Sequence, residues 1–398
     1  MPADCAPDTA PTSALEAARQ LSHQIAATRE ETERLCQVPP ALADALAEAG
    51  LYRLYLPRSA GGVELPPPTA FHVIEELSRA DGSVGWCVMN ANVVSLGLGW
   101  LTPEAARVIV SEAPPSLRAA GSLRPQGQAR RAEGGGWRVS GRWNFASGVC
   151  NANWLHCPCV VTDEGGAPRR TEAGAPVTRT VWVPAAVATV MDNWSVVGLC
   201  GTGSHDFVLN DVLVPAARTF SLAEPPAERG VLYRPRFFFA FAHALFAANA
   251  LGIARGAVDA LIGMAAREAS SLSTVLLRDR PAVQAQVARA DAIVDAARCY
   301  VANALTGAWE AASASEGEDP ARAIARVRLA IPHAIRECVR AVDLAFEAAG
   351  TNAIFTANPL ERPFRDIHVA AQHAAAFPAH FEAAGKVLLG LRPTDPGW

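Results

Sequence analysis

The 398-residue chain has no CxxC pair, no HExxH and no two-histidine-plus-carboxylate cluster. A bound metal therefore has no ligand set in the sequence. No glycine-rich loop runs into Lys-Ser/Thr and a helix, which excludes a P-loop, and no Rossmann fingerprint marks a nicotinamide site. An excess of one charge is lacking too: 35 Lys and Arg stand against 39 Asp and Glu, a formal charge of −4, with only 19% of residues charged. That is no surface for nucleic acid. Residues 1–12 are polar and proline-rich, without the charged start and apolar stretch of a signal peptide. No uncharged run reads as long enough to span a bilayer. The nine cysteines, an odd number, read as buried thiols in a reducing compartment rather than disulfides. Cys157 and Cys159, either side of Pro158, share one face of an expected strand. These absences predict a cytoplasmic protein with neither a membrane nor nucleic acid as partner.

What the chain does have is a composition half hydrophobic and a length sufficient for two or three domains. Over 13–36, Leu15, Leu21, Ile25 and Leu35 recur near helical spacing behind Ser13, a candidate N-cap. A short helix over 41–49 ends at Gly50, and 69–79, 83–98 and 103–111 read as helices after it. The last has Thr102 as N-cap and Pro103 at its first position. After Pro114-Pro115 the texture changes. From 117 to 220, β-branched and aromatic residues alternate with Gly, Pro, Asn and Asp, and 137–140, 154–161, 180–183 and 207–209 are strand candidates. Gly134-Gly135-Gly136 is a hairpin turn, and 163–178 is an exposed, mobile loop. Strands without intervening helices predict an antiparallel sheet, as a barrel or sandwich. From Arg236 onward the chain is alanine-rich; 237–269, 281–312, 320–349 and 369–391 form a four-helix bundle pattern. The predicted class is α+β in three parts: an N-terminal helical domain over 1–115, a central β domain over 116–225 and a C-terminal helical bundle over 226–398.

Two segments place a small hydroxyl residue beside glycine next to strand-like sequence. They are Arg142-Trp143-Asn144-Phe145-Ala146-Ser147-Gly148 and Gly198-Leu199-Cys200-Gly201-Thr202-Gly203-Ser204-His205-Asp206. Such segments let a backbone approach a flat ligand and offer it N–H and O–H groups. Alone, each is a turn by default. In this order, with helical sequence on both sides, they resemble the acyl-CoA dehydrogenase superfamily, and within it the two-component (group D) flavin-dependent monooxygenases. The resemblance runs from about residue 15 through nearly the whole chain. It includes a proline–glycine–glycine turn at 56–62, flavin-contacting strand ends at 120–127 and 145–148, and the segment 346–355, where the neighbouring subunit reaches the flavin.

The resemblance implies an enzyme that takes reduced FAD or FMN from a separate flavin reductase. With O2 it hydroxylates an aromatic or natural-product small molecule through a flavin C4a-hydroperoxide. Leu123, Arg124, Phe145, Ser147, Gly203, Ser204, Gly350 and Thr351 are the implied cofactor-binding residues, with Ser147 a donor near flavin N5. Position 200, arginine in the resembling enzymes, is cysteine here. His373 matches the histidine those enzymes place near C4a and substrate, and it joins Ser147 as a catalytic candidate. His368, five residues earlier on what reads as the same helix, points roughly 140° away and is left as a packing or surface residue. Trp86, Asn90 and Asn92 are candidates for the substrate pocket, although the asparagines serve equally as partners for local backbone. Alternatives are an N-oxygenase acting on an amine, an acyl-CoA dehydrogenase with bound FAD, and a non-catalytic member. The dehydrogenase needs a glutamate base; Glu347 falls in the flavin-contact segment instead. The apolar surface of 237–269 and 346–355 exceeds what one bundle covers, and the resemblance implies that a homotetramer buries it.

Overall fold

A computed structural model describes residues 11–269, 274–314 and 320–393. The N-terminal part holds α1 (Pro11–Ala27), α2 (Arg29–Leu35), α3 (Pro40–Glu48), α4 (Pro67–Ala80), α5 (Gly82–Ser95) and α6 (Pro103–Ser111). Ser13 lies inside α1 and does not cap it. The side chain of Thr102 does cap α6, accepting from Ala105 N at 3.3 Å, with Pro103 at the first helical position. Asp81 caps α5 in the same way, accepting from Ser83 N at 2.9 Å and Val84 N at 3.0 Å. Every residue of α5 is buried, and its polar side chains Asn92 and Ser95 are hydrogen-bonded to backbone.

The central part is one eight-stranded sheet: β1 (Ala119–Gly121), β2 (Gly127–Arg131), β3 (Trp137–Trp143), β4 (Trp154–Thr162), β5 (Thr178–Pro184), β6 (Thr189–Met191), β7 (Asp206–Val214) and β8 (Thr219–Phe220). The order is β6-β7-β3-β2-β4-β5-β8, with β1 also on β4. Residues 134–136 do turn the β2–β3 hairpin. The sheet is mixed, however, which corrects the antiparallel expectation. β1 pairs in parallel with residues 154–156 of β4, and β2 pairs in parallel with residues 159–162 of the same strand. Residues 119–131 thus lie along β4 as one extended run, interrupted at 122–126. The chain must cross from β3 to β4 over 144–153 to allow this, and that crossover carries Phe145 to Gly148. The sheet has its own core, in which Trp143 stacks on Phe207 and Cys157 and Cys159 are both buried. Among the other described cysteines Cys150 and Cys299 are exposed, which corrects the expectation that all are buried thiols.

The C-terminal part holds α7 (Phe238–Ala265), α8 (Pro281–Ser313), α9 (Pro320–Ala349), α10 (Glu361–Ala370) and α11 (Ala379–Leu388). The expected helix over 369–391 is two helices. Pro378 disfavours helix at the residue before it, and a 3-10 turn over Ala374–Ala376 fills the break. His373 therefore lies in a turn and not on a helix shared with His368, a second correction. The two helical parts are joined through one buried core. α7 lies against α4 so closely that a Cβ on Gly252 would stand 2.3 Å from the Glu75 carbonyl oxygen. By length and composition Pro235–Ala265 is apolar enough to cross a membrane, which overturns the reading that no run reaches that length. In this fold 89% of its most apolar window is buried inside the protein, as for a core helix.

Candidate functional site

The two hydroxyl-and-glycine segments, about 55 residues apart in sequence, meet in space. Gly148 N donates to Thr202 O at 2.8 Å and Ala146 N to His205 O at 3.2 Å. Each segment contains a non-glycine residue in the left-handed region, Phe145 at φ 59° and Leu199 at φ 52°. Such a residue costs roughly 1–2 kcal/mol and persists where its surroundings hold it. For Leu199 the hold comes from α10. Its N–H donates to Asp366 Oδ1 at 2.5 Å. A Cβ on Gly198 would stand 2.4 Å from the Arg365 carbonyl oxygen, so only glycine lets the loop lie on that helix. Arg365 donates to Val197 O at 2.7 Å and reaches Cys200 Sγ at 3.8 Å. The same guanidinium is paired with Glu33 at 2.9 Å and with Glu361 at 2.5 Å.

Three buried hydroxyls line up behind this junction. Thr202 Oγ1 is 2.7 Å from Leu199 O and 2.7 Å from Ser204 Oγ, which is 2.8 Å from Ser147 Oγ. Ser147 Oγ also accepts from the indole N–H of Trp86 at 3.0 Å. Asn90, on the same helix as Trp86, reaches over the turn, with Nδ2 3.5 Å from Ser147 O and 3.4 Å from Gly121 O. Asn92 does not face this site. Its amide donates to Leu51 O at 2.9 Å and Val88 O at 2.8 Å and accepts from Tyr55 N at 3.2 Å, so backbone uses the whole group. The substrate role expected of Asn92 is corrected accordingly.

On its other side Trp86 meets an aromatic and histidine cluster. Its ring lies edge-on to Phe246 at 5.2 Å and to His373 at 5.6 Å, and Phe246 and His373 stack at 3.9 Å, 9° from parallel. His373 Nδ1 accepts from Ala375 N at 3.1 Å, so its neutral ring carries the proton on Nε2. Burial, with His380 adding, lowers the His373 pKa to about 4. His243, three residues before Phe246 on α7, is lowered to about 3 by burial and by His373, His380 and Arg328. Both rings are neutral near pH 7. Sequence reading missed His243; its signal is a polar residue one helical turn from an aromatic one in an otherwise apolar stretch. His368 faces elsewhere: Nδ1 donates to Phe364 O at 2.7 Å and Nε2 lies 3.4 Å from Asp343 on α9.

Comparison with known proteins identifies the family. Residues 13–103 match the acyl-CoA dehydrogenase N-terminal domain and residues 244–378 its C-terminal domain. The chain belongs to the acyl-CoA dehydrogenase superfamily. Among its superfamily relatives, indole-3-acetate monooxygenase of Pseudomonas putida is 32% identical over 92% of this chain and 91% of its own length. The oxygenase component of FADH(2)-dependent resorcinol hydroxylase from Rhizobium sp. (strain MTP-10005) is 30% identical over 91% and 90%. The structure of XiaF from Streptomyces sp. in complex with FADH2 and glycerol superposes with a TM-score of 0.87, at 27% identity and 97% coverage of each chain.

The other expected residues of this superfamily member divide. Leu123 and Arg124 follow β1, the first half-buried against the helical core, the second exposed with its N–H on Ser122 Oγ at 3.0 Å. Gly203, at φ 47°, packs its Cα against Cys36, where a Cβ would meet the carbonyl oxygen at 2.7 Å. Gly350 and Thr351 are exposed at the end of α9. Their turn is tied to the far end of α7, through Asn352 to Ala269 O at 3.1 Å and Asn358 to Met264 Sδ at 3.4 Å. From Phe246 to Met264 the rise along α7 is about 27 Å. Within one subunit, Gly350 and Thr351 are therefore separate from the Ser147–His373 cluster.

Proposed function

We propose that this protein is the oxygenase component of a two-component flavin-dependent monooxygenase that hydroxylates a small aromatic molecule with O2. The observation that carries this is the Trp86 bridge, which joins the hydroxyl line of the sheet crossover to the neutral His373 of the helical turn. The residues present fit a flavin, a flat ring with one polar edge. Phe145 and Val197 stand 62% and 72% exposed beside the buried hydroxyls of Ser147 and Ser204, and Trp194 lies edge-on to Phe145. Reduced FAD or FMN from a separate reductase supplies the electrons that activate O2. Ser147 would hold the ring at its N5 edge. His373 would donate a hydrogen bond from Nε2, since its Nδ1 accepts from Ala375 N. Trp86 and Phe246 keep water from the site. All these groups are uncharged, which suits an aromatic substrate. A dehydrogenase base would be a carboxylate; His243 and His380 stand around His373 instead, and Glu347 is exposed on α9.

The same reading makes the protein a homotetramer with a flavin site shared between subunits. Gly350 and Thr351 reach a flavin only in another copy, and Ile354 and Phe355 beside them are exposed apolar side chains. Purified protein given reduced flavin, 18O2 and a panel of phenols and indoles is expected to release a product carrying one 18O atom. Bleaching of tightly bound flavin by an acyl-CoA, or no affinity for flavin in either redox state, would replace this reading with the dehydrogenase or the non-catalytic one. Light scattering checks the assembly, and a stable monomer that binds reduced flavin contradicts the shared site.

A further inference from the structure

Every proton in the hydroxyl line can be assigned by counting. A hydroxyl has one proton to donate. Thr202 Oγ1 gives its proton to the Leu199 carbonyl oxygen, which can only accept. Towards Ser204 it must therefore accept, so Ser204 donates to Thr202. Ser204 has then spent its proton and must accept from Ser147. Ser147 in turn accepts from the Trp86 indole. Its proton is committed, one lone pair is filled, and one lone pair is left. The three side chains are 1–5% exposed, so water is no ready substitute for any of these partners. The origin of the line is fixed as well. Leu199 is pinned by Asp366 on α10, and Trp194 Nε1 lies 3.4 Å from the same Leu199 carbonyl.

We propose that Thr202 and Ser204 are positioning residues that present Ser147 to the flavin as a hydrogen-bond acceptor only, so that the site favours reduced over oxidised flavin. This rests on the reading of Ser147 as the N5 partner but corrects its expected role as a donor there, because its proton goes to Ser204. Reduced flavin carries N5–H, a donor that the remaining Ser147 lone pair accepts. Oxidised flavin has an unprotonated N5, itself an acceptor. Two acceptors then face each other unless the whole line reverses, and it cannot reverse while the Leu199 carbonyl ends it.

The test measures dissociation constants for reduced and oxidised flavin anaerobically, with the midpoint potential of the bound flavin, in full-length protein. The wild type is expected to bind reduced flavin more tightly. In Thr202→Val, Ser204 loses its acceptor and turns its proton to Ser147, which frees the Ser147 proton for oxidised N5. In Ser204→Ala, Ser147 loses its acceptor with the same consequence. Either change is expected to lower the oxidised-to-reduced ratio of dissociation constants about tenfold, mainly by tightening oxidised flavin. The potential then falls by about 30 mV, the two-electron equivalent of tenfold. Ser204→Thr keeps the hydroxyl and should keep the wild-type ratio. Should one substitution prevent folding, the other gives the same readout. An unchanged ratio and potential, with reduced flavin still bound, overturns the role of Thr202 and Ser204 and leaves the proposed function standing. Wild-type protein that binds neither form overturns the function itself.

Discussion

The two sides of Trp86 solve different problems. On the Ser147 side, the hydroxyls of Ser147, Ser204 and Thr202 are buried and hydrogen-bonded to one another, on loops whose surroundings hold Phe145 and Leu199 in the left-handed region. On the His373 side the partners are aromatic rings, and the histidines stay neutral because burial penalises their charge. The first side defines where a donor or acceptor sits. The second keeps its histidine rings uncharged. Oxygen transfer needs both, and one indole holds them together.

The largest effect should come from breaking the His373 side. His373→Ala is expected to lower product formation roughly 10²-fold or more while reduced-flavin affinity changes only a few-fold. Steady-state rates and anaerobic titrations read the two quantities separately. A loss confined to flavin binding would move His373 to the other side of the comparison. Next comes a polar residue that looks functional and is structural. Asn92→Ala removes three buried hydrogen bonds and should cost about 2 kcal/mol or more in denaturant unfolding. Turnover per folded molecule should be unchanged, and a selective loss of turnover would restore Asn92 to the substrate pocket.

A smaller effect sharpens the polar side through pH. Asp366 is raised to about 7 by burial and by the nearby charges of Asp81 and Glu33, against the Leu199 N–H and Arg365. Arg29 faces it too, and Arg362 lies near Arg29. An ordinary aspartate ionises near pH 4. Between about pH 4 and 7 the native protein therefore holds a proton that the unfolded chain has lost. Stability from this group is present at the acid end and declines as pH rises through the window. Asp366→Asn removes that decline while keeping an oxygen for Leu199 N–H. Its melting temperature relative to wild type should rise by about 2–4 °C between pH 4.5 and 7.5. A constant difference across that range would show Asp366 to be ionised throughout. The smallest effect is expected at His368, whose ring is spent on Phe364 and Asp343. His368→Ala should leave the rate within about twofold, and a loss like that of His373→Ala would reverse the assignment of the two histidines.

Much of this was legible in the chain because it depends on local chemistry. Thr102 before Pro103 marks a helix start in any context, and three consecutive glycines turn a hairpin wherever they fall. The Ser147–Gly148 and Gly201–Ser204 segments read as turns by composition, and their order between helical stretches carries the resemblance. The parallel pairing of β1 and β2 with β4 is not local, since short strands carry no mark of their partner's direction. Nor is the break after Ala370, where the helical pattern of 369–391 continues straight through the turn that aims His373.

By itself, then, the sequence determined the helix–sheet–helix order and the two hydroxyl-bearing loops, because periodicity and turn chemistry act within a few residues. Only the tertiary structure decided that those loops join, that Trp86 connects Ser147 to His373, that His243 belongs beside them and that Asn92 does not. Those outcomes depend on which groups burial brings within about 3–6 Å, the range over which hydrogen bonds and ring contacts act. Chain spacing does not encode that proximity.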